Sequence, residues 1–107
     1  MTTYALLHTN GNVEIVEVKN YKDIQALVGG IFCSPWEGRL LDGQASLFAN
    51  DEGLLMGLEY NTLASLLAGQ HLVGPVLMGG AVDDEGNVTD VTDTLKSILS
   101  VWTGVPL

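Results

Sequence analysis

The chain has 107 residues, of which 47% are hydrophobic and 16% charged: enough apolar material for one core, and too much for a disordered segment. Thirteen acidic residues against four basic ones leave a net charge of −9. Lys19, Lys22, Arg39 and Lys96 are too few to neutralise a phosphate backbone, so direct nucleic-acid binding is not expected, whereas a partner with a basic surface would be attracted.

The stretch "TYALLHTNGNVEIVEV" predicts a β-hairpin, with Val13, Ile15 and Val18 at imperfect strand period and an Asn-Gly pair at the turn. "NYKDIQALVGG" predicts a short helix: Asn20 caps it, Asp23 favours the positive end of the dipole, and Ile24, Leu27 and Val28 form the apolar face. Gly29 suits the left-handed stop, and Gly30 frees the chain for a strand over "IFCSPW" that ends near Pro35. That places Trp36 and Glu37 in a loop, with Trp36 partly exposed. The single cysteine, Cys33, excludes an internal disulfide and reads as a buried free thiol.

"QASLFAN" and "LLMGLEY" read as two strands joined by the turn "NDEG", in which Asn50 and Asp51 initiate the turn, Glu52 follows, and Gly53 takes a positive-φ position. "NTLASLLAG" predicts a second helix with Asn61 as cap, Leu63, Leu66 and Leu67 buried, and Gly69 as stop. "HLVGPVLMGGAV" has the continuous apolar run of a strand covered on both faces, its glycines marking a bulge or a close backbone approach. After the acidic turn "DDEGN", "NVTDV" reads as an edge strand. A last helix starts at Thr92 or Asp93, with Leu95, Ile98, Leu99 and Trp102 on one face, and Gly104 and Pro106 end it. On that face Trp102 is expected in the core or at a subunit interface. The sum is a single α+β domain over 1–107, a mostly antiparallel sheet carrying two or three short helices, with the other sheet face or an edge open to a partner.

Residue patterns that would carry chemistry are sparse. The two "DEG" turns lack the alternating oxygen ligands and distant glutamate of a calcium loop. His8 and His71 have no Cys or His neighbour at zinc spacing, and no serine stands in a nucleophile elbow. A Cys33–His71 pair would need the fold to assemble it. "VGG" falls at a helix C-terminus, where carbonyls repel anions, and "MGG" leads into a strand with no lysine partner. No metal, cofactor or enzymatic activity is therefore expected. The apolar runs, such as 76–78, are far too short to span a membrane, and "MTTYALLHTNGN" lacks the features of a signal peptide, so the expected location is cytoplasmic.

The succession "LVGG", "ANDEGLLMGLEYN", "LVGPVLMGG" and "DDEGNVTDVT" resembles the small proteins of domain-of-unknown-function family 3846, found in actinobacteria, their phages and other mobile elements. The residues that carry the resemblance are Gly29 and Gly30, Asn50 to Gly53, Gly57 with Leu58, Asn61, Gly74 and Gly79. The resemblance covers most of the chain, from Val13 to about Thr92. The sequence departs from the family pattern at Glu59-Tyr60, where a proline commonly precedes the asparagine, and over "IFCSPWEGRLLDGQ". The resemblance implies a phage or mobile-element origin (hence a host cytoplasm) and a compact α+β fold; it implies no activity.

Two functional expectations follow. The first is non-catalytic binding to a host protein that has a basic, nucleic-acid-binding surface. Asp83, Asp84, Glu85, Asp90 and Asp93 would supply charge, with Asp51, Glu52 and Glu37 as further acidic contacts and Trp36 as an apolar anchor. The second is an oligomer that sequesters a small molecule such as a nucleotide signal. A homodimer is left open.

Overall fold

A computed structural model describes residues 2–29, 36–37, 45–50, 52–53, 55–104 and 106–107, with the side chains of 36–37 excepted. Its elements are β1 (Thr2–Leu7), β2 (Val13–Val18), α1 (Tyr21–Val28), β3 (Trp36–Glu37), β4 (Ala45–Phe48), α2 (Thr62–Ala68), β5 (Val76–Gly80) and α3 (Asp93–Thr103). The strands form one sheet in the order β2-β1-β5-β4-β3, every neighbouring pair antiparallel. This is the expected α+β architecture.

The opening hairpin forms in the expected place. Gly11 N–H donates to His8 O (3.1 Å) and His8 N–H to Asn12 O (2.9 Å), and Gly11 takes φ 90°. The Asn-Gly pair thus sits in a three-residue loop with its left-handed glycine at the return to β2. Each helix begins on the side chain expected to cap it: Asn20 for α1, Asn61 for α2 and Thr92 for α3. Gly29, Gly69 and Gly104 end them with left-handed backbone.

Alternation along the strands sends side chains to two separate cores. Ala5, Leu7, Leu47, Val76 and Met78 pack with Leu67 of α2 and with Leu95 and Leu99 of α3. On the other side, Tyr4, Leu6, Phe48 and Leu77 pack with Ile24 and Val28 of α1. Helices therefore cover both faces of the central strands, so of the two expected openings the sheet face is ruled out, while β2 stands at the sheet edge and pairs with β1 alone. The run "VLMGG" signals the covered faces: all five residues of β5 are buried, as a central strand with two covered faces requires.

Three other expectations are corrected. Residues 55–60 of "LLMGLEY" do not form a strand. Met56 N–H returns to Glu52 O (3.0 Å) and Leu58 N–H to Gly53 O (3.0 Å), while Gly57 at φ 70° breaks any extended run; only Tyr60 makes a single bridge, to Val73. "NVTDV" makes one bridge, Val82 to Val88, because the chain turns to hold β1 rather than extending the sheet. Trp36 and Glu37 are not loop residues: they pair with Leu47 and Ser46 as the marginal strand β3. The expectations for Gly30, the strand at 31–35, Cys33 and Asp51 fall outside the described residues.

The paired glycines of β5 have a packing cause. Segment 88–91 returns beside the end of this strand, with Gly80 N–H donating to Thr89 O (2.8 Å) and Thr89 N–H to Ala81 O (3.1 Å). A Cβ on Gly79 would lie 2.6 Å from Val88 Cγ1, and one on Gly80 2.5 Å from Thr89 Oγ1. The close approach expected from the sequence is this segment.

Candidate functional site

The most patterned stretch, 50–61, is built around two buried asparagines. The Asn50 side chain accepts the amide of Glu52 (2.9 Å) and donates to Gly29 O (3.1 Å), tying the turn to the end of α1. Asn61 is wholly buried. Its Oδ1 accepts the Ala64 amide (3.0 Å) as the α2 cap, and its Nδ2 donates to Leu7 O (2.9 Å) and Gly74 O (2.8 Å). One amide group thereby joins α2, the end of β1 and the loop before β5. Every polar atom of the Asn61 side chain is engaged inside the protein, which makes the residue a structural tie.

Gly53 belongs to the same construction, though not for the expected reason. Its φ lies outside the left-handed region; instead, a Cβ there would lie 2.7 Å from Val73 Cγ2. Gly57 is the left-handed position of this stretch. Gly74 combines both constraints, with φ 76° and Leu58 Cδ1 lying 2.7 Å from where a Cβ would stand.

The acidic residues do not gather into one patch. Leu7 pairs with Val76, and Ala45 with Gly80, which fixes the direction of the sheet. The turn holding Glu52 lies beyond the Val76 end, together with the 8–12 turn and Asn61. Asp83, Asp84, Glu85, Asp90 and Asp93 lie beyond the Gly80 end. Glu37 sits on the β3 margin between them.

At the Gly80 end each acid has a distinct setting. Asp83 Oδ1 accepts the amides of Glu85 (3.0 Å) and Asn87 (2.9 Å), and Gly86 at φ 84° closes the turn, so Asp84 and Glu85 are presented on a fixed loop. Asp90 Oδ1 accepts the Thr3 amide (2.8 Å) while Val91 N–H donates to Thr3 O (2.8 Å), which anchors the start of β1. Burial pushes the Tyr4 hydroxyl above its ordinary pKa of 10.0, and the Asp90 charge pushes it the same way. Asp93 stands exposed in the first turn of α3, where the helix dipole favours it. Among the described residues the one side-chain nitrogen of a basic residue or histidine within 4 Å of a carboxylate is His8 Nε2, hydrogen-bonded to Glu14 Oε1 (3.0 Å) at the opposite end of the sheet. None of the five acids is neutralised by a described lysine.

A second surface was touched by sequence reasoning only through Trp102, expected in the core or at a subunit interface. The C-terminal part of α3, α2 and the 8–12 turn enclose a shallow apolar groove of about 280 Å³, lined by Gly11, Thr62, Leu63, Leu66, Trp102 and Thr103. Leu66, expected in the core, is 55% exposed, and Trp102, expected in the core or at an interface, is 46% exposed. Ala64 and Ser65 take the buried positions in α2 beside Leu67 and Ala68. The available signal was charge: "TLASLLAGQ" and "SILSVWT" contain no ionisable side chain, although the solvent face of an ordinary surface helix is polar or charged.

Each histidine has a neighbour of its own. His8 is paired with Glu14, while the His71 ring lies against Tyr60, with ring centroids 4.6 Å apart. No group of three or more His, Cys, Asp or Glu suited to a metal ion occurs among the described residues. Among those residues, no helix is long and apolar enough to cross a membrane.

No curated protein and no solved structure is significantly similar to this chain. A family model described as "Domain of unknown function (DUF3846)" matches residues 1–103, nearly the whole sequence, and the chain belongs to that family.

Proposed function

We propose that the protein is a non-catalytic binding module of phage or mobile-element origin. It acts in the host cytoplasm and docks on a host protein with a basic, nucleic-acid-binding surface. The observation that carries this reading is the Gly80 end of the sheet, where Asp84 and Glu85 project from a turn braced by the Asp83 carboxylate, with Asp93 exposed nearby in the chain. A fixed loop presents its charges at little further entropic cost on binding, and unpaired carboxylates at its tip steer a cationic surface toward it. Asp83 and Asp90 act differently from the simple charge donors expected from sequence: both spend one carboxylate oxygen on backbone amides, positioning the loop and β1.

The nucleotide-sequestering alternative gains no support from the groove, whose lining residues carry no cation to meet a phosphate. The test of the docking reading is capture of basic host proteins at 50 mM and 500 mM salt by the full chain and by a D84K/E85K double variant. Both substitutions fall on exposed turn positions and should leave the fold intact. Capture that falls steeply with salt and is lost in the variant supports the reading; capture unchanged by both overturns it.

A further inference from the structure

We propose that the outer edge of β2 is the docking site for an extended, basic segment of a partner protein, which joins the sheet as a further strand. β2 ends the sheet and, among the described residues, pairs with β1 alone. The hairpin fixes which of its backbone groups face outward. Continuing the register past Leu7 and Val13, His8 faces Asn12 and donates to its carbonyl (2.9 Å). Hydrogen-bonded pairs recur at every second position of an antiparallel ladder, so they are Leu6 with Glu14, Tyr4 with Val16 and Thr2 with Val18. Thr3 gives an independent check: it lies opposite Glu17, yet its amide goes to Asp90 Oδ1 (2.8 Å) and its carbonyl accepts from Val91 (2.8 Å). The amides and carbonyls of Val13, Ile15 and Glu17 therefore point away from β1, in a row with a repeat of about 7 Å. Such a row is complementary to the backbone of another extended chain.

β2 lacks the usual backbone devices that close an edge: its six residues include no proline or glycine, and its register with β1 has no bulge. Val13 and Val16 are only partly buried and Ile15 is 37% exposed, so an added strand has apolar surface to cover. The charges select the occupant. Val13 packs on the α2–α3 side and Val16 on the α1 side, so alternation puts Glu17 on the first face and Glu14 on the second. Glu17 is exposed, and Glu14 keeps 61% of its side chain exposed despite its bond to His8. A second copy would bring the same two carboxylates and no base within the strand, on a chain already at −9. A segment with lysine or arginine at two positions three apart, and β-branched residues between them, instead sets one cation opposite each carboxylate. Its apolar residues then meet Ile15 and Val16.

The test is amide hydrogen exchange followed by NMR on the full chain. The probe is a blocked peptide, Thr-Val-Lys-Val-Ile-Lys-Val-Thr, at up to about 1 mM in about 50 mM salt. In the free chain the amides of Ile15 and Glu17 should exchange faster than those of Glu14 and Val16; the peptide should slow them about tenfold or more. Replacing both lysines by glutamate should abolish the effect. Ile15→Pro removes an outward N–H, a change an edge strand tolerates, and should block the peptide while the β1–β2 pairing persists. If that variant unfolds, the exposed double change Glu14→Lys and Glu17→Lys decides, since it should reject the lysine peptide and accept the glutamate one. No added protection at β2 overturns the proposal, as does equal binding of the glutamate peptide. Ile15 and Glu17 amides already protected in the free chain, together with a dimer in sedimentation, would make a second copy the occupant and overturn it too. Peptide shifts confined to 83–87 overturn it while leaving the docking reading standing; that reading fails on the D84K/E85K result, which does not touch β2.

Discussion

Replacing Asn61 by alanine removes three buried hydrogen bonds at once, and its cost can be worked from their separate roles. Loss of the cap to Ala64 costs about 1 kcal/mol, as at other helix N-termini. Loss of Nδ2 leaves Leu7 O and Gly74 O without this donor in a site closed to water. An unsatisfied buried carbonyl costs about 1–3 kcal/mol, and the lower half of that range applies where a second lone pair keeps other contacts. The total is about 3–5 kcal/mol, a large share of the roughly 5–15 kcal/mol that holds a domain together. For a chain of this length it corresponds to a fall in melting temperature of roughly 13–22 °C. Thr92→Ala is the matched control: Thr92 caps α3 through the Leu95 amide (3.1 Å) but is exposed, so only the cap term of about 1 kcal/mol is lost. Guanidinium denaturation of both variants, followed by far-ultraviolet circular dichroism, measures the difference directly. If the two variants fall within about 0.5 kcal/mol of each other, Asn61 is only a helix cap and its proposed tie to β1 and the β5 loop is wrong.

Gly80→Ala should cost about 2–3 kcal/mol, because its Cβ would press on Thr89 Oγ1 and on the Asp90 carbonyl; a thermal melt within 3 °C of the parent would show that 88–91 can move aside. Gly53→Ala and Gly57→Ala should both destabilise for different reasons, the first by a clash with Val73 and the second by about 1 kcal/mol of left-handed strain in open space. A compensating Val73→Ala change should therefore rescue Gly53→Ala and leave Gly57→Ala unimproved, as read by denaturant midpoints. The raised Tyr4 pKa gives a pH dependence of fixed sign. The unfolded chain releases this proton first, so the contribution is fully present below pH 10.0 and is lost as pH rises through the higher folded value. Melting temperatures measured from pH 9 upward should fall more steeply for the parent than for Tyr4→Phe; parallel curves would contradict this.

The helices were legible because their signals are local. Asn20, Asn61 and Thr92 each precede an apolar period, and a glycine follows each at the stop. The central strand was legible for a related reason, since no surface strand tolerates "VLMGG" without a polar position. The stretch after Gly53 misled because "LLMGLEY" has the composition of a strand, whereas its structure is decided by contacts far along the chain. Asn50 reaches back to Gly29, and Gly53 and Gly74 lie tight against Val73 and Leu58. The side to which Leu66 and Trp102 turn was illegible for a similar reason. Helical periodicity places Leu63, Leu66 and Leu67 on one broad stripe, and only the position of the sheet decides which edge of that stripe is covered. The apolar stripe of α3 likewise extends past what Leu95 and Leu99 bury, leaving Trp102 at its margin.

The position of the acids also separates structural from available charge. Asp83 and Asp90 lie among the acids that would form a docking patch, yet removing either would disturb the backbone they hold, so loss of binding in Asp83→Ala or Asp90→Ala would not by itself locate a contact. Asp84 and Glu85 carry charge at the same end without a described backbone role, which makes them the informative positions.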